Sequence, residues 1–580
     1  MKYKLENTQI DTSIPEERQW LAGVLLQRGE QITRRFAYFY EKLQALPRQT
    51  RKTLQKRLAM TLAGAALLLA LSGAPSVHAA TITVNPGSQG IGIDGGCSLV
   101  EAIITANTAG TSGDCSGGTA GPDIITLGGG TYSYKYETSA GNALPRITSQ
   151  ITINGNGATI ERSGATPNFF RVLHVRPSGN LTLNDATLSG GYSQDNGGGI
   201  YNERGIVVLN NSTISGNTAV NGGGIYNLNG TVTLNNNSVV GANEAYDYYG
   251  FATASGAGIL NKATSSLTAN LTINNSTISG NFSTGIGTQG SGIYNWGDNY
   301  GTATLIVNNS TINNNSANLD GAGVMNYGGN YGIANATIDG SAISNNAATS
   351  NGGGISNISF TGGSATLTVR NSTISSNAAG SNGGGIHSDG GTTTVENSTI
   401  TANTGGGIFG GGSVMNTIVA AQTAGADCSG VAATSQGYNI ESGTTCGFTG
   451  TGDQQSVSNA ALNLGALSVL NGGTTPTHAL QNPSVAIEKI PIGTNGCDGT
   501  GADQRGGARA QGPSYGGSYC DIGAFEYGSD FTPTAVSLQS FTVTGGSESG
   551  LAPALLGLLT SAGLGGLWWR KRRAEQPDEG

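Results

Sequence analysis

The chain has 580 residues, of which 11% are charged and 6% aromatic, with 96 glycines and a formal net charge of −8. That balance excludes a basic nucleic-acid-binding surface. So much glycine suits a flexible low-complexity chain, but the columns of repeated residues below exclude that class, because a random Gly/Asn/Ser tract does not hold register.

In chain order, residues 1–79 read as a long N-region and export signal. Leu58 to Ala79 carries no charge and follows Arg51, Lys52, Lys56 and Arg57. Val77-His78-Ala79 offers small residues at the flanking positions of a cleavage site, so cleavage after Ala79 is expected; a retained N-terminal anchor is the alternative. Residues 80–180 read as an N-terminal cap and first coils. Within them, Cys97-Ser-Leu-Val-Glu-Ala-Ile-Ile-Thr-Ala-Asn107 resembles the Cys-Ser-Leu-Arg-Glu-Ala (CSLREA) motif that opens many bacterial exported β-helix proteins, with Val100 in place of the Arg. A short helix over Leu99–Ala106 would cap strand edges that a first coil otherwise exposes.

Residues 181–425 repeat one phrase, Asn-Ser-Thr-Ile-Ser-x-Asn, followed by a glycine run closed by Ile. It stands at Asn211–Asn217, Asn275–Asn281 and Asn371–Asn377. The apolar markers are Leu188, Ile214, Val239, Ile278, Ile312, Ile343, Ile374, Ile400 and Ile418, at unequal separations, so loops enter between fixed phrases. Runs such as Thr231-Val-Thr-Leu234 alternate with β-branched residues, which argues strand. Asn217, Asn281, Asn315, Asn346, Asn377 and Asn403 fall three residues after their markers. Asn202, Asn227, Asn261, Asn295, Asn326 and Asn357 fall two after the residue closing each glycine run, and Asn196, Asn221, Asn351 and Asn382 form a third column, with Asp320 as a substitute. Stacked coils turn such columns into ladders of amides. The expectation is an all-β, parallel β-helix with three strands per coil and short helical segments at its termini. It resembles the right-handed, pectin-lyase-like parallel β-helix family, in particular bacterial surface proteins with Gly-Gly-Ile repeats; the handedness comes from that resemblance.

Polysaccharide cleavage on such a fold needs paired carboxylates or Ca²⁺-binding Asp clusters. Residues 180–420 hold ten acids and three bases, with no Asp-Asp dipeptide. Glu203 and Asp389 share an offset but lie six coils apart, Arg204 stands beside Glu203 as a pairing partner, and His387 reads as a surface histidine. No catalytic, cofactor or metal site is assigned. The candidate ligand surface is the insert with Glu244, Tyr246, Asp247, Tyr248, Tyr249 and Phe251, extended by Trp296 and Tyr300 and by Tyr327 and Tyr331, because aromatic faces stack on sugars.

Residues 426–528 read as C-terminal coils and a disulfide-bearing cap. Asp503-Gln-Arg-Gly506, Arg509 and Cys520-Asp-Ile-Gly-Ala-Phe-Glu526 resemble the closing segment of the bacterial choice-of-anchor β-helix domain, and their charges read as a salt-bridged cap. After a linker, 529–550, residues 551–580 carry an apolar run from Leu551 to Trp569 and the basic cluster Arg570, Lys571, Arg572, Arg573. With Gly545, Gly546 and Ser547 ahead of it, this order resembles the GlyGly-type (GlyGly-CTERM) sorting signals of Gram-negative bacteria, which are cut by an intramembrane protease; a plain anchor is the alternative. Six cysteines, Cys97, Cys115, Cys428, Cys446, Cys497 and Cys520, allow fifteen pairings, of which neighbour pairing is simplest.

These readings converge on an exported protein of a Gram-negative-like bacterium, at the cell surface, associated with the outer membrane or extracellular. It would bind glycan or another surface ligand without catalysis and meet the membrane through its C-terminal segment and the export and sorting machinery. The alternatives are a polysaccharide lyase or hydrolase acting from the Tyr-rich insertions and a structural coat component. Oligomeric state is not legible.

Overall fold

The computed structural model describes residues 79–85, 93, 95–119, 121–247, 255–285, 287–498, 500–509 and 519–528. The export signal before Ala79 and the sorting segment from Gly545 to Arg573 lie outside them. Among the described residues no helix is long and apolar enough to cross a membrane. The described residues divide into two compact units, those up to 127 with 149–153, and 128–148 with those from 154 onward.

In the first unit, helix α1 (Leu99–Thr108) starts at Ser98. The Ser98 Oγ accepts the Glu101 N–H and the Glu101 carboxylate accepts the Ser98 N–H. This capping box satisfies two donors that a helix start leaves orphaned. It gives the glutamate of the motif a structural role. Val100 is fully buried, so an apolar contact stands where the motif has Arg. Cys97 is bonded to Cys115.

The second unit repeats one course per coil. A representative coil runs through Ile225–Leu228, Thr231–Asn235, Val239–Gly241 and Glu244–Tyr246. Each segment pairs in parallel with its equivalent in the next coil. Three sheets enclose one interior, and the largest takes two segments from each coil, folded at an asparagine bend. This is the right-handed parallel β-helix that the repeat and its resemblance led us to expect.

The interior file is Leu188, Ile214, Val240, Ile278, Ile312, Ile343, Ile374, Ile400 and Val419, in unbroken register and fully buried. Two of the expected markers are corrected by one residue. Val239 points outward because its bend carries an extra residue, with both Asn236 and Asn237 in the left-handed region. Ile418 stands opposite Thr399, on the outer side, and Val419 takes the interior place.

The asparagine columns are ladders. Asn281 donates its backbone N–H and its Nδ2–H to the Oδ1 of Asn315, and its Nδ2 also reaches the Val240 carbonyl. The second column links Asn202, Asn227, Asn261, Asn295, Asn326 and Asn357 through Nδ2–Oδ1 bonds of 2.6–2.8 Å. In the third, Asp320 accepts from Asn351, as its reading as a substitute requires. The corrected markers bring two further rungs into the first ladder, Asn243 and Gln422, each three residues after its marker. A buried amide without partners costs about 1–3 kcal/mol, so each rung depends on its neighbours.

The described residues from 459 to 528 leave the stack, with α2 (Asn459–Leu462) at their start. They fold back along the outer face of the last coils rather than extending the solenoid. Thr373 Oγ1 donates to Gln504 Oε1 and Ala524 N–H to Thr399 Oγ1. Ile418 and Ala420 join Leu462, Leu480, Ile490, Ile522 and Phe525 in a separate apolar core. The short segment Thr277–Ser279 shows half-buried outward residues, whereas its covered equivalent Thr373–Ser375 is buried throughout. Disulfides Cys428–Cys446 and Cys497–Cys520 complete the neighbour pairing.

Candidate functional site

The expected ligand surface falls on two different sheets. Glu244 and Tyr246 lie on the strand Glu244–Tyr246, which pairs with Phe282–Thr284. The Glu244 carboxylate accepts hydroxyls from both neighbouring coils, Thr284 at 2.6 Å and Thr218 at 3.5 Å. Asp247 is buried, while Tyr246 is exposed. The two acids of the insert are therefore built into the wall. Tyr248, Tyr249 and Phe251 lie outside the described residues.

Trp296 and Tyr300 belong to a corner on another sheet. The strand Ile293–Gly297 sets Trp296 outward between Lys262 and Tyr327 in register. Lys262 Nζ lies 3.4 Å from the Trp296 ring centroid and 3.2 Å from the Asp298 carboxylate. Tyr294 stacks on Trp296 at 5.4 Å and 9°. Burial raises the Tyr226 and Tyr294 hydroxyls above the ordinary phenol range. Beneath the surface, Tyr226, Leu260, Tyr294 and Met325 form an apolar cluster on this outer sheet face.

The next turn carries Tyr300, and its equivalent one coil on carries Tyr331. Both turns close with an i to i+3 hydrogen bond, Gly301 N–H to Asp298 O and Gly332 N–H to Gly329 O, each 2.8 Å. Both central residues are left-handed, Asn299 and Tyr300 at φ 44° and 63°, Asn330 and Tyr331 at 48° and 64°. Such turns favour Asn-Gly, and a bulky side chain there is strained by about 1–2 kcal/mol. The rings nonetheless stand 60% and 58% exposed, stacked at 5.2 Å and 7°. The corresponding turn of the following coil has Gly362. Coil stacking at about 4.8 Å sets the ring spacing. Tyr327 reaches this corner, since a Cβ on Gly329 would meet its Cε1 at 2.5 Å.

The acids are placed by local pairing. Glu203 bonds Arg176 at 2.9 Å and His174 at 3.2 Å, both from the preceding coil, so the expected pairing with Arg204 is corrected: Arg204 sits in a left-handed turn. Glu396 pairs with Arg370, and Asp339 accepts from Asn371. His387 is buried, stacked on Phe409 at 5.0 Å and facing Ser356, which corrects its reading as a surface residue. Burial lowers its pKa.

One cluster escaped the sequence reading because it begins before residue 180. Arg171 lies over Tyr201, and His174 stacks on the same ring at 4.6 Å. Burial, with Arg171 beside it, pushes His174 down to about 4. Arg171 is bonded to Asn196 O, Asn142 Oδ1 and Ser193 Oγ, so it ties coils together. At the other end, Asp503 pairs with Arg505 at 2.6 Å, Arg509 lies 3.7 Å from Glu526, and Arg505 covers Phe525. These groups hold the C-terminal lobe. Among the described residues, no three His, Cys, Asp or Glu gather as a metal centre. The exposed aromatic corner is thus the best candidate for contact with a ligand. No family model, no curated protein and no solved structure matches the chain.

Proposed function

We propose that this chain is an exported, non-catalytic scaffold that binds glycans, in the manner of an adhesin. The observation that carries the reading is the Tyr300–Tyr331 stack, held on strained turns and left exposed. Strained backbone at a surface position points to function, since packing alone favours glycine there. An aromatic face offers area to the C–H face of a sugar. Lys262 and Asp298, beside Trp296, supply polar partners for hydroxyls.

Export is supported by the signal-like segment, the CSLREA-like motif and three disulfides, which suit an oxidising compartment. The GlyGly-type tail supports delivery to the surface of a Gram-negative-like cell. A glycan array probed with the full chain and with Tyr300→Gly tests the binding, alongside an assay for new reducing or unsaturated ends. Array binding lost in the variant, with no new ends, supports the proposal. Oligosaccharide release that disappears in Glu244→Gln would replace it with the lyase or hydrolase reading.

A further inference from the structure

The bend inside the largest sheet carries a further row of asparagines, on the outside of the solenoid. Asn184, Asn210, Asn235, Asn274 and Asn308 succeed one another coil by coil. Each of the last four donates Nδ2–H to the Oδ1 of the one before, at 2.8–3.2 Å. A primary amide has two N–H donors and an oxygen with two lone pairs. The ladder uses one donor and one lone pair of each interior rung, so one of each is left over. Unlike the interior ladders, these side chains are only half-buried.

An open groove of about 700 Å³ runs along this row. Asn235, Asn274 and Asn308 line it, with Asn275 and Asn309 beside them, and Asp503 of the C-terminal lobe borders it. In the following coil the lining residues are Asp339, in register with Asn308, and Gly340, where a Cβ would sit 2.3 Å from Asn309 Oδ1. The lining extends over four coil steps, from Asn235 to Asn371, or about 19 Å. No cation lines it. Asp503 is consumed by Arg505, Asp339 accepts from the Asn371 amide, and Arg370, in register with Asp339 one coil on, pairs with Glu396. An anionic chain would face Asp339 without a counter-ion, whereas hydroxyls match the spare amide donors and acceptors. The ladder bonds account for asparagine at these positions, but not for the groove that the lobe leaves beside them.

We infer that this groove binds a linear, uncharged polysaccharide laid parallel to the coil axis, one sugar per coil. An extended β-linked pyranose chain advances by roughly one coil height per residue, so successive sugars meet equivalent amides. The inference rests on the glycan-binding reading, yet uses a different surface. The strand Thr302–Asn308 separates Tyr300 from the groove by about 20 Å.

The test is calorimetric titration of the full chain with cellobiose, cellopentaose, cellohexaose, N-acetylchitohexaose and a galacturonate hexamer. A neutral hexasaccharide should bind, with affinity rising about tenfold or more from the disaccharide to the pentasaccharide and then levelling, while the galacturonate hexamer does not bind. Ala502→Ile, which enters from the lobe side without touching the ladder, should weaken hexasaccharide binding about tenfold with an unchanged melting temperature, whereas Asn308→Asp, which forfeits the bond to Asn274 and stands in register with Asp339, should weaken it as much with a lowered one. If these variants lose affinity while Tyr300→Gly keeps it, the groove stands whatever becomes of the aromatic corner. If Tyr300→Gly loses affinity and both groove variants bind like the parent, the groove is overturned and the corner survives. Binding of neither neutral hexasaccharide, or tighter binding of galacturonate, also overturns it.

Discussion

Gly523 of the C-terminal lobe lies directly on Ile418 of the last coils: a Cβ at 523 would come 2.8 Å from the Ile418 Cδ1. Its φ of +105° adds a second demand for glycine. The Gly523 N–H also bonds the Asn416 carbonyl at 2.9 Å. Gly523→Val therefore should cost about 3 kcal/mol and loosen the lobe. Limited proteolysis should then cut within residues 459–528 while the interior ladder stays protected from hydrogen exchange. A variant whose lobe stays as resistant as the parent's would contradict this packing.

The tyrosine turns allow strain and stacking to be weighed against each other. Left-handed backbone at Tyr300 costs about 1–2 kcal/mol, and the Tyr300–Tyr331 stack returns about 0.5–1.5 kcal/mol. Tyr300→Gly removes both and should leave stability within about 1 kcal/mol of the parent. Tyr300→Ala keeps the strain and loses the stack, so it should be less stable than the Gly variant by about 1 kcal/mol. Denaturant midpoints of the two variants measure the difference, and equal midpoints would remove the strain argument.

Replacing one interior rung should propagate. Asn281→Ala removes the Oδ1 that accepts both the Asn243 N–H and Nδ2–H, leaving Nδ2 only the Ile214 carbonyl, and takes one donor from the Val240 carbonyl. The expected loss is about 3 kcal/mol, against less than about 0.5 kcal/mol for an exposed strand residue such as Ser316. Hydrogen exchange of the neighbouring coils shows whether the loss is local.

Each disulfide closes a loop of 18 to 23 residues, worth about 3 kcal/mol through restriction of the unfolded chain. Cys428→Ser with Cys446→Ser should lower the denaturant midpoint by that equivalent. An unchanged midpoint would assign the bond a role other than stability.

His174 gives stability a defined pH dependence. Its folded pKa is about 4, below the ordinary 6.5, so the native state binds fewer protons than the unfolded chain. The contribution is present above pH 6.5 and is lost as pH falls towards 4. Glu203, Arg171 and Arg146 face it; the two arginines disfavour the protonated ring, while Glu203 favours it. Asp521, raised to about 6 by burial, acts in the opposite sense, its contribution fading as pH rises from about 4 to 6. His174→Gln should flatten the loss between pH 6.5 and 4, read as melting temperature against pH.

The coil type, the interior file and all three amide columns were legible in the sequence, because a solenoid places equivalent residues over one another and any local pattern is repeated as a contact. Even the two misplaced markers show this: once Val240 and Val419 take the interior places, the three-residue rule finds Asn243 and Gln422. What repetition does not encode, the tertiary structure decided. That the C-terminal lobe turns back along the side of the coils, burying Thr373 and Ile418, depends on contacts more than a hundred residues apart. That Glu244 is bound into its sheet while Tyr300 and Tyr331 stand exposed on another depends on which turn of the coil each residue occupies. Periodicity specifies neighbours along the axis; only the folded cross-section specifies what stands beside them.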